Sequence, residues 1–76
     1  MTLTHKQRRM RAARTIHARS GDEALLAHLA AISYGDGDKF CSRALVDIAA
    51  AARGGQTDRL WALVSRFIDH WDLSWR

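Results

Sequence analysis

Residues 57–75 read TDRLWALVSRFIDHWDLSW. Leu60, Trp61, Val64, Phe67, Ile68, Trp71 and Trp75 recur at steps of three and four. At about 100° per residue they share one arc of about 120°. Asp58, Ser65, Asp69 and Asp72 fall outside it. That is the period of a helix with one buried stripe; a half-buried strand would alternate every second residue. Thr57 and Asp58 supply a polar start, so a helix is expected over 58–75.

Upstream, Gly54-Gly55 punctuates the chain, and residues 39–53 repeat the pattern. Phe40, Cys41, Ala44, Leu45, Ile48, Ala51 and Ala52 share one face. Asp36 or Asp38 can cap the start of this helix. Arg53 suits its last turn, and Gly54 is expected to take the left-handed closing conformation. The two helices should form an antiparallel hairpin. Tyr34-Gly35-Asp36-Gly37 breaks the chain before them.

Two more helices are expected, over 21–33 and 5–19. Thr4 with Gln7, and Ser20 with Glu23, have the capping-box spacing. The 21–33 segment is apolar almost all round: Ala24, Leu25, Leu26, Ala27, Leu29, Ala30, Ala31 and Ile32. Such a helix must be covered on more than one side, which points to a central position or to a homodimer through this surface. The 5–19 helix is different. Arg8, Arg11, Arg14 and Arg19 lie opposite Met10, Ala12, Ala13 and Ile16, while Lys6, Arg9 and His17 fall among the apolar positions. It reads as a peripheral element carrying like charges three residues apart, which repel.

The fold class is therefore all-α: a bundle of three to four short helices in one domain over 1–76. Charge divides it. Residues 1–20 hold six basic residues and no acid; residues 21–76 hold six basic and eight acidic residues. The longest stretch without charge, Ala24 to Gly35, has 12 residues, well short of the roughly 20 that a spanning helix needs. No apolar run follows the basic start as it would in a signal peptide. A cytoplasmic protein with no membrane contact is expected.

The chemistry expected is binding rather than catalysis. His5, His17, His28 and His70 are not spaced as metal ligands, so no metal or cofactor is expected. Asp36-Gly37-Asp38 begins like a calcium loop but lacks its closing Glu. Cys41 lies on an apolar face, where an inert thiol is the simpler reading. Asp69 and Asp72 share a face and could do acid–base work, yet a solvated face near Arg66 explains them equally. There is no Gly-rich phosphate loop and no nucleophile elbow. No catalytic residues are assigned.

Two groups remain as partner-binding candidates. One is the basic face: Lys6, Arg8, Arg9, Arg11, Arg14 and Arg19. Ten of the twelve basic residues are Arg, whose planar fork suits carboxylate or phosphate. The other is Leu73 with Trp75, since Trp and Arg dominate interface hot spots. The reading is a non-enzymatic regulator that docks on a larger protein with an acidic surface and occludes it. An inhibitor of a host protein, of phage or mobile-element type, fits that description. The alternative is a small nucleic-acid-binding protein that contacts phosphates with the same helix. A merely solubilising face is the third reading.

Overall fold

Thr4 begins the first helix as the sequence pattern requires. Its Oγ1 accepts from the Gln7 backbone N–H at 3.1 Å, and its own N–H donates to Gln7 Oε1 at 2.8 Å. Two of the orphan amides of the first turn are thereby satisfied. The computed structural model describes residues 2–33 and 39–71, with residues 39–42 described by backbone alone. It contains three helices: α1 His5–Ile32, α2 Lys39–Arg53 and α3 Thr57–Trp71. No strand occurs among the described residues.

The two helices expected over 5–19 and 21–33 are joined as α1, broken only at Gly21. Gly21 has φ 85° and ψ −168°, a region essentially closed to residues with a Cβ. We call residues 5–20 the N-terminal arm. His17 Nε2 and Asp22 Oδ1 meet at 2.6 Å across the break. The second part of α1 ends at Ser33, whose N–H donates to Leu29 O at 3.2 Å and whose Oγ donates to Ala30 O at 2.8 Å.

α2 spans the residues read from the sequence, and its end corrects one detail. The left-handed residue is Gly55 (φ 67°), not Gly54. Gly54 continues the helical pattern, with its N–H donating to Ala50 O at 3.0 Å. Gln56 N–H then reaches Ala51 O at 3.0 Å and Gly55 N–H reaches Ala52 O at 3.2 Å. These paired bonds are a Schellman motif, with Gly55 one position beyond the cap. α3 starts at Thr57, one residue before the expected start. The three residues 54–56 turn the chain back, so α2 and α3 pack side by side, as short connections between neighbouring helices dictate.

The core follows the stripes. Leu60, Val64, Phe67 and Ile68 of α3 are buried, with Ile48 and Ala51 of α2 and Leu25, Leu29 and Ile32 of α1. Met10, Leu26, Ala44, Leu45, Ala52, Trp61, Leu63 and Trp71 pack around them. Burying each large apolar side chain contributes about 1.5–3 kcal/mol. The apolar circumference of 21–33 is resolved inside one chain. Its larger side chains face the core, and the exposed remainder is Ala27 and Ala31, which present little apolar area. The radius of gyration is 11.7 Å, against about 11 Å for a packed chain of this length.

The arm is tied to this body. Ala13 is fully buried in the core cluster and Met10 packs against it. Lys6 Nζ reaches Asp69 Oδ2 at 2.7 Å. The Arg14 guanidinium lies over the Trp61 ring at 4.7 Å, and His17 meets the same ring edge-on at 5.6 Å. Moving along the arm from Lys6 to Arg14 is matched by moving back along α3 from Asp69 to Trp61. The arm therefore runs antiparallel to α3. None of the three helices is long and apolar enough to cross a membrane.

Candidate docking face

The arm sorts its basic residues by direction. The side toward α3 carries Ala13, Met10, His17 and Lys6; the opposite side carries Arg8, Arg11, Thr15, Ala18 and Arg19, all exposed. The six candidates therefore separate. Lys6 is engaged by Asp69, an exposed ion pair worth roughly 0–1 kcal/mol. Arg14 is engaged by Trp61, a contact worth about 0.5–2 kcal/mol. Arg9 is half-buried on the flank. Arg8, Arg11 and Arg19 remain on the open face, with no acidic partner among the described residues. Leu73 and Trp75 lie outside the described residues, as do Asp36, Asp38 and Asp72 and the side chains of Phe40 and Cys41.

Two shallow grooves run beside the Arg11–Thr15 ridge. One, of about 460 Å³, is lined by Leu3, Arg8, Arg11, Ala12, Thr15 and Ile16. The other, of about 420 Å³, is lined by Thr4, Lys6, Gln7, Met10, Arg11, Arg14 and Thr15. The face is thus a mixture of guanidinium groups and apolar surface. Leu3 is 38% exposed, and its position explains why. It directly precedes the capping Thr4, where an apolar residue packs against the fourth helical position if that is apolar too. Here that position is Arg8, so Leu3 has nothing local to cover it. Reading the sequence missed Leu3, although its place before the cap was the available signal. It also missed Trp61 and Asp69 as anchors of the arm, because those contacts depend on the antiparallel docking.

The charges work against the arm's own stability. Its first turn holds no acid, while Lys6 and Arg8 sit near the positive end of the helix dipole, where cations are unfavourable by about 0.3–1 kcal/mol each. Arg8 and Arg11 also repel one another. The cleft between α2 and α3, of about 570 Å³, offers a contrast. Asp47 and Asp69 stand there with Arg66 and His70 around Leu63, Phe67 and Trp71, so no single charge sign dominates it. Among the described residues, no three His, Cys, Asp or Glu side chains converge to hold a metal ion. Asp69 serves the arm through Lys6.

No family model, no curated protein and no solved structure matches this chain. The functional reading therefore rests on the face itself.

Proposed function

We propose that this protein is a non-enzymatic docking module that binds the acidic surface of a larger protein through its N-terminal arm and acts by occlusion. The observation that carries this reading is the open face of Arg8, Arg11 and Arg19, which lies beside Leu3 and Ile16 and has no acid on it among the described residues. A helix that keeps like charges against its own dipole breaks a local rule, and such breaks concentrate at functional sites. Arg supplies bidentate contacts to carboxylates, and the apolar grooves supply area that leaves water on docking. Phosphate backbones would use the guanidinium groups but not the apolar grooves, and the net acidic remainder of the chain opposes them. The grooves therefore favour a protein partner over nucleic acid. A host factor blocked by a phage- or mobile-element-type inhibitor is one partner of this kind.

The test compares wild type with Arg8→Glu/Arg11→Glu/Arg19→Glu as baits in a lysate of the source organism, with mass spectrometry of what is retained. The expected result is a protein held by wild type and lost by the variant. If both baits hold the same proteins, the reading fails. A labelled duplex titrated in parallel separates the nucleic-acid alternative. Tight binding at about 50 mM salt that falls steeply as salt rises marks phosphate contacts and would replace the protein partner by DNA.

A further inference from the structure

We propose that this chain self-associates by exchanging its N-terminal arm between two copies, with Gly21 as the hinge. The inference is independent of what the arginine face binds.

The hinge is a single residue. Helix lies on both sides of Gly21 with no linker, and its φ of 85° is open to glycine and strained for other residues. Glycine adopts helical angles about as readily. Were Gly21 helical, His5–Ile32 would become one uninterrupted rod of 28 residues, about 42 Å long at 1.5 Å per residue. The longest dimension of the molecule is 35 Å. A straight α1 therefore carries the arm away from its own body. It leaves Trp61, Asp69 and the site that buries Ala13 uncovered.

A second copy supplies the matching surface. The arm of one chain can lay Lys6 on the partner's Asp69 and Arg14 on the partner's Trp61, re-forming the contacts seen within one chain. Exchange of an identical element makes a dimer without a new interface, and a hinge as short as one residue invites it. One contact belongs to the bent form alone. His17 and Asp22 meet at 2.6 Å across the break, but on a continuous helix residues five apart point in different directions. That pair latches the closed monomer, and the straightened hinge releases it. The exchanged dimer also presents two arginine faces instead of one.

Gly21→Ala is the direct probe. A Cβ at Gly21 meets no atom within 4 Å, so the substitution acts on the backbone alone. It penalises the bent form and favours helix, together tipping each hinge at least about tenfold toward the rod. A dimer has two hinges, so its Kd should fall about a hundredfold or more relative to wild type in sedimentation equilibrium. Exchange is then distinguished from ordinary dimerisation by mixing two Gly21→Ala chains, one with Lys6→Asp and one with Asp69→Lys. Arms and bodies match in charge only in the exchanged heterodimer, so native mass spectrometry should show heterodimers above the binomial fraction. A Gly21→Ala chain that stays monomeric at millimolar concentration overturns the proposal, and so does a binomial mixture. Should Gly21→Ala lose its helical circular dichroism, the same two charge variants in the wild-type background are unfolded together and refolded at high concentration. Excess heterodimer supports exchange, and monomers or a binomial mixture overturn it.

Discussion

Arg11 and Arg14 stand one turn apart on the same arm and have different surroundings. Arg14 spreads over the half-buried Trp61 ring at 4.7 Å, with His17 against the ring edge. Arg11 forms the wall shared by both grooves. Removing each guanidinium should therefore read out differently. Arg14→Ala is expected to lower stability by about 0.5–2 kcal/mol through the lost cation–π contact. Arg11→Ala should stay within about 0.5 kcal/mol of wild type, as exposed substitutions usually do. Urea unfolding followed by tryptophan fluorescence measures both. Equal losses would mean that Arg11 also braces the fold. The two residues look alike in the sequence, because both project to the polar side of an isolated helix. Only the approach of α3 from the Arg14 side separates them.

At the scale of elements, the turn between α2 and α3 gives a paired prediction. Gly55 has φ 67° and Gly54 does not lie in the left-handed region. A Cβ at Gly55 meets no atom within 4 Å, so only the backbone conformation resists alanine there. Gly55→Ala should cost about 1–2 kcal/mol. Gly54→Ala should be near neutral, since its Cβ would stand 3.4 Å from Ala50 O. Thermal unfolding of the two variants checks the order, and a larger loss at Gly54 would contradict the assignment. The stripes Leu60–Val64–Phe67–Ile68 and Ile48–Ala51 were legible because burial and helical period act on the same residues, whereas the all-round apolar pattern of 21–33 did not mark Leu25, Leu29 and Ile32 as its buried side. The Thr4–Gln7 cap was legible because both partners lie three residues apart. Which glycine turns left-handed was not, since that depends on where the last carbonyls of α2 find donors. The continuity of α1 through Gly21 was likewise hidden, because a glycine between two helical patterns fits a loop as well as a kink.

For the whole molecule, the division of charge between residues 1–20 and 21–76 acquires a direction in space. The acid-free segment is a docked arm, not a loose tail. It contributes Ala13 to the core and exposes Arg8, Arg11 and Arg19 on the opposite side. Its core-facing half serves the fold, while its open half is exposed and places Arg8 against the helix dipole. Docking and stability should therefore separate by substitution. The most direct measurement takes Arg8→Glu/Arg11→Glu and records its thermal melting beside its binding to a protein captured by wild type. Glu at position 8 suits the dipole that Arg8 opposes, so the variant should melt at or above wild type while losing the captured partner. A variant that melts lower and still binds would show that these arginines serve the fold, and would contradict the docking face.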